Sequence, residues 1–96
     1  MASTREYLDH VLDLLGEVEA VTTRAMMGEY LLYAGGTLFG GVYDDRFLVK
    51  ETPASAALLP TSALPYEGAR SPMRVVDIEN AHAVAELVTM VCADLR

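Results

Sequence analysis

The sequence predicts an α+β domain, an antiparallel β-meander sheet with N-terminal and C-terminal helices packed on one face. Three observations carry that expectation. Apolar runs at about Glu29–Ala34, Thr37–Tyr43 and Arg46–Lys50 are separated by Gly35-Gly36 and Asp44-Asp45, residue types that accept the positive φ angles of two-residue hairpin turns. Apolar stripes with helical spacing occupy both ends of the chain. A length of 96 residues suits one domain, spanning 1–96, with room for one layer of helix on one sheet.

From Ser3 to about Glu19, Tyr7, Leu8, Val11, Leu12, Leu14, Leu15 and Val18 recur at steps of three and four, the apolar face of a helix. Ser3 and Glu6 have capping-box spacing, in which each side chain accepts from the other's backbone N–H. Gly16 weakens the final turn. Asp9, Asp13 and Glu17 form a like-charged row that reads as a solvated face, with docking of a basic partner as the alternative. Val21 to Met27 opens with β-branched residues and enters the meander as its first or edge strand. Within the meander, Gly40-Gly41 marks a bulge or a close approach of neighbouring backbone.

After Glu51, Thr52 and Pro53 predict the cap and first turn of a short helix that Pro60 stops. The stretch from Pro60 to Pro65 reads as irregular. Tyr66-Glu67-Gly68 is expected to begin a second sheet element, paired with a strand over Met73 to Ile78. Asn80 caps a last helix whose Val84, Leu87, Val88, Val91 and Leu95 form its apolar stripe.

A formal charge of −7 opposes generic attraction to phosphate backbones and anionic lipid, and favours a basic or neutral protein partner. Hydrophobic residues reach 52%, high for so short a chain, which points to a subunit interface and hence a homodimer. No apolar run approaches the ~20 residues needed to span a bilayer. Cys92 stands alone, which excludes an internal disulfide framework, and the N-terminus lacks the features of a signal peptide, so the chain reads as cytoplasmic.

The residue types that carry catalysis lack the spacing or context it needs. His10 and His82 lie on different helices without a second donor at metal-ligand spacing, so neither a metal site nor a cofactor is expected. Cys92 reads as a half-buried small hydrophobe. None of Ser3, Ser55, Ser62 or Ser71 has the context of a nucleophile, and Asp44-Asp45 suits a turn better than a carboxylate pair. The expectation is a protein that is not an enzyme. Tyr30, Tyr33, Phe39, Tyr43 and Phe47 crowd the meander, and with Arg24, Arg46 and Arg74 they allow a base-stacking surface as an alternative to a core of cross-strand aromatic pairs.

Arg24-Ala25-Met26-Met27-Gly28, then Tyr33-Ala34-Gly35-Gly36, Phe39, Asp44-Asp45 and Phe47-Leu48-Val49-Lys50, followed by Pro65-Tyr66-Glu67 and Met73, resemble the signature of the TfoX/Sxy N-terminal domain family. The resemblance covers about Glu19 to Leu95, with Met27 standing where the family pattern has phenylalanine. It implies a regulatory or protein-interaction domain, related to a bacterial competence regulator that works with a cyclic-AMP-responsive transcription factor and carries a second domain this sequence lacks.

Glu29, Asp44, Asp45 and Arg46, beside the meander turns, are the candidate contacts for a transcription-related protein partner. Direct nucleic-acid binding through Arg24, Arg46, Arg74 and Tyr43 is the alternative. A small-molecule pocket between the last helix and the sheet is a third expectation.

Overall fold

A computed structural model describes residues 2–96 of the chain. The elements in order are α1 (Arg5–Leu14), β1 (Val21–Met26), β2 (Glu29–Ala34), β3 (Thr37–Val42), β4 (Phe47–Lys50), α2 (Pro53–Leu58), β5 (Ser62–Ala63), β6 (Met73–Val75) and α3 (Ala81–Leu95). The strands form one open antiparallel sheet in the order β1-β2-β3-β4-β6-β5, so the α+β class and the meander are as expected.

Three consecutive two-residue turns build the meander. Met27 and Gly28 have φ of 51° and 83°, Gly35 and Gly36 55° and 83°, and Asp44 and Asp45 53° and 54°. Positive φ at both loop positions gives a backbone twist that matches that of the flanking strands. The Met27-Gly28 turn departs from the sequence expectation of a strand through Met27, since methionine is a poor occupant of this region. It ends β1 one residue before the expected boundary.

Between β2 and β3 the register passes from Leu32↔Gly40 to Tyr33↔Leu38, leaving Phe39 as the extra residue of a bulge and fully buried in the core. A Cβ on Gly40 would press on the Leu48 carbonyl oxygen and lie 2.9 Å from Val49 Cα. One on Gly41 would lie 2.7 Å from the Tyr30 carbonyl oxygen. The close backbone approach expected at the glycine pair therefore holds, and the bulge lies one residue before it, at Phe39.

All three helices cover one face. Leu8, Val11 and Leu15 from the α1 region and Val84, Leu87, Val88 and Val91 from α3 pack on Leu32, Phe39, Val42, Phe47 and Val49 of the sheet, with Leu59 following α2. Thr52 and Ser55 cap α2 reciprocally, and Asn80 caps α3 through the Ala83 N–H.

Two local expectations need correction. Thr4, not Ser3, caps α1 by accepting from the Tyr7 N–H, because the Ser3 hydroxyl is engaged 26 residues away by Glu29; the helix also stops at Leu14, short of Glu19. Tyr66–Gly68 is not a strand. It lies in a loop with Gly68 at φ 87°, and β6 instead pairs with β4 and with the short β5, which joins the second strand pair to the main sheet.

Candidate functional site

The Met27-Gly28 and Asp44-Asp45 turns lie at the same end of the sheet, and the N-terminal segment is bound between them. Ser3 donates its backbone N–H to the Gly28 carbonyl at 3.0 Å and to Glu29 Oε1 at 2.9 Å, and its hydroxyl to Glu29 Oε1 at 2.6 Å. Glu29 Oε2 accepts from the Asp44 N–H at 3.0 Å, Ser3 Oγ from the Asp45 N–H at 3.1 Å, and Asp45 Oδ1 from the Thr4 N–H at 2.8 Å. The expected contact residues Glu29, Asp44, Asp45 and Arg46 are thus gathered at one place, and Glu29 and Asp45 also tie the N-terminus to the sheet. Glu29, Asp44 and Arg46 share a depression of about 300 Å³ with Leu64, Pro65 and Tyr66. Met27 stands beside this group at the tip of its turn, 96% exposed.

The sheet face away from the helices carries a second apolar cluster of Tyr43, Leu48 and Met73, flanked by Leu31, Ala63 and Val75. Residues 64–72 lie along this face as a strap. Arg46 clips the strap, donating from Nη2 to the Leu64 and Pro65 carbonyls at 3.2 and 3.3 Å and from Nε to the Tyr43 carbonyl at 3.2 Å. Tyr66 meets Tyr43 with ring centroids 6.4 Å apart and planes inclined at 50°. Between strap and sheet is a cleft of about 750 Å³ lined by Leu38, Tyr43, Lys50, Tyr66, Arg70 and Met73, among others. Burial raises the Tyr43 phenol pKa above its ordinary value, helped by Tyr66 and Glu29, so this hydroxyl stays a neutral donor in the cleft.

This cleft is on the face opposite to the expected helix–sheet pocket. A smaller cavity of about 430 Å³, bordered by Val18, Ala34, Val88 and Cys92, lies nearer that expected position. No helix among the described residues is long and apolar enough to cross a membrane.

The sequence model of the TfoX N-terminal domain matches residues 13–85, from the end of α1 through all six strands into α3. The chain belongs to the TfoX N-terminal domain family. No curated protein gives a significant match.

In this TfoX N-terminal domain the alternative nucleic-acid set is not gathered on one open surface, although Arg46 and Tyr43 are neighbours. Arg24 is exposed on β1, opposite Leu31. Arg46 is occupied by the strap, while Arg74 pairs with Glu51 at 2.7 Å and donates to the Leu59 carbonyl at 2.9 Å. Tyr43 is buried under the strap. The aromatic residues divide between the two faces, with Tyr30, Phe39 and Phe47 in or against the helix-side core and Tyr43 in the strap-side cluster.

Among the described residues no group of three or more His, Cys, Asp and Glu side chains is placed to hold a metal ion. Cys92 is buried, and burial pushes its thiol pKa up against the opposing pull of Arg96. His10 lies 3.2 Å from Glu79, and His82 lies between Glu17 and Glu86 at 3.1 and 2.9 Å. The sequence reading places neither Met27 in a turn nor Ser3 against the sheet. The available signal for Met27 was a glycine following it directly before an alternating strand; Ser3 had none, since its partners are distant in sequence.

Proposed function

We propose that this TfoX N-terminal domain is a non-enzymatic protein-interaction domain, a regulatory adaptor in the transcription of a bacterial cytoplasm, and that it meets its partner with the turn end of the sheet. One observation carries the reading: Met27 is held at φ 51° with 96% of its surface in water. A left-handed non-glycine residue costs on the order of 1 kcal/mol, and a large apolar side chain in water recovers none of it. Such a residue is explained by a partner that buries it. Glu29, Asp44 and Asp45 next to it, on a chain of charge −7, favour a partner with a basic or neutral surface.

The test compares wild type with Met27→Asn in affinity capture from nuclease-treated bacterial cytosol. Asparagine followed by glycine is a preferred pair for this turn, so the fold is preserved and its stability is expected to rise by about 0.5–1 kcal/mol. A transcription factor or polymerase subunit recovered with wild type is expected to fall at least about fivefold with the variant, the loss that a ~1 kcal/mol contact implies. Equal recovery of such a partner by both proteins removes Met27 from the interface.

The second reading is a small-molecule site in the strap cleft, favoured by its volume of about 750 Å³, which is within the usual range of ligand pockets. It predicts thermal stabilisation by some member of a metabolite panel. A flat response across the panel leaves the protein-interaction reading alone.

A further inference from the structure

The two edges of the sheet are not alike. At one edge β5 is only two residues long, too short to template another strand. At the other, β1 pairs with β2 in regular register over six residues, without bulge or proline, and from Thr22 to Met26 it is exposed. Among the described residues nothing covers this edge.

The register decides which backbone groups are free. Met26 and Glu29 flank a two-residue turn and exchange hydrogen bonds, and bonding then alternates along the strand, so Met26, Arg24 and Thr22 are bonded to β2. The Gly35 N–H bonded to the Ala20 carbonyl at 3.1 Å continues the alternation. Val21, Thr23 and Ala25 therefore direct their N–H and C=O groups away from the sheet.

We infer that a second copy of this chain docks on the β1 edge, antiparallel, with Thr23 opposite the partner's Thr23, so that two sheets become one. Opposed residues in an antiparallel pair share a face, so two-fold symmetry requires some residue to oppose its own copy. Centring on Arg24 sets two guanidinium groups face to face. Centring on Thr22 leaves the outward groups of Ala25 beyond the partner's strand.

Only the Thr23 register pairs all three outward residues, with Val21 opposite the partner's Ala25 and Thr22 opposite the partner's Arg24. It juxtaposes two threonine hydroxyls at the centre and no like charges. β1 also contains no carboxylate, so a chain of charge −7 can approach its own copy there.

The experiment is sedimentation equilibrium of wild type and Ala25→Pro, with oxidative cross-linking of Thr23→Cys and Thr22→Cys, each made in a Cys92→Ala background. Wild type is expected at twice 10.4 kDa. Proline at Ala25 removes an N–H that is unused within the monomer, so melting is expected to be little changed while the dimer is lost. Residues opposed across a hydrogen-bonded pair have Cα atoms about 5.5 Å apart, within disulfide reach, so Thr23→Cys is expected to cross-link. Thr22→Cys is two residues out of step with its copy and is not. A wild-type monomer through the micromolar range, a dimer that persists in Ala25→Pro, or cross-linking no greater at Thr23 than at Thr22 each overturns the inference. Should Ala25→Pro fail to fold, the cross-linking contrast decides alone.

Discussion

The Glu29 carboxylate and Ser3, 26 residues apart, are joined by two hydrogen bonds to one oxygen, 2.9 Å from the Ser3 N–H and 2.6 Å from its hydroxyl. Hydrogen bonds to a charged acceptor contribute about 1.5–3 kcal/mol, so Ser3→Ala and Glu29→Gln are each expected to destabilise the domain by an amount near that range. Because both act on the hydrogen bond from the Ser3 hydroxyl to the Glu29 carboxylate, a double-mutant cycle is expected to give a coupling of about 1 kcal/mol. Additive losses in urea melts would falsify the clamp.

Gly40→Ala is expected to be the most damaging single methyl addition in the sheet. Its Cβ would meet the backbone of β4 at Leu48 and Val49, which cannot move aside as a side chain can. Overpacking of this kind costs about 1–3 kcal/mol, and backbone obstruction belongs at the upper end. Gly36→Ala is the comparison, since nothing lies within 4 Å of its Cβ and only the strain of φ 83° applies. A larger loss for Gly36→Ala in thermal melts would contradict this ordering.

His82 is placed to couple the segment after α1 to α3. Both its ring nitrogens face carboxylates, and only the imidazolium can donate to both. Its pKa is raised above 6.5, first by the hydrogen bond to Glu17, then by the charges of Glu17 and Glu86. A pKa raised on folding adds stability that is complete below the unfolded value and vanishes as pH rises through the folded one. The melting temperature is thus expected to drift down as pH rises from 6.5 through the folded value, and His82→Gln to remove that drift. Identical pH profiles would show that this exposed cluster contributes nothing.

Arg46→Lys tests the clip on the strap. Lysine keeps the charge but loses the fork that reaches the Leu64, Pro65 and Tyr43 carbonyls together. Faster amide hydrogen exchange across Glu67–Ser71 is expected, with exchange in β2 and β3 unchanged. Unaltered exchange in the strap would mean that the Tyr43–Tyr66 contact and β5–β6 pairing hold it without Arg46.

The parts of this fold that were legible in the sequence are those whose signals are local. Gly35-Gly36 and Asp44-Asp45 gave their turns directly, and Thr52-Pro53 and Asn80 gave their helix starts, because each acts on residues within a few positions. Ser3 misled for the opposite reason: its spacing to Glu6 suited a capping box, but a carboxylate 26 residues away claimed the hydroxyl. Tyr66–Gly68 had strand-like neighbours, yet Arg46 and Tyr43 hold that segment as a loop. Of the candidate site, the gathering of Glu29 with Asp44 and Arg46 followed from the hairpin pattern. The cleft did not, since it depends on how a loop with little local preference lies on a distant sheet face.

The three tight turns also bear on the order of assembly. Strands β1 to β4 each pair with the next across only two to four intervening residues, whereas β6 reaches β4 only after a long excursion through α2, β5 and the strap. Loop closure that short costs little entropy, so the meander can organise early and the strap side arrives on a surface already built. Changes at Gly35 should therefore slow folding, and changes in the strap should chiefly hasten unfolding. The cleft is then the last feature to close and the first to open, a part of the molecule whose occupancy can change while the rest stays folded.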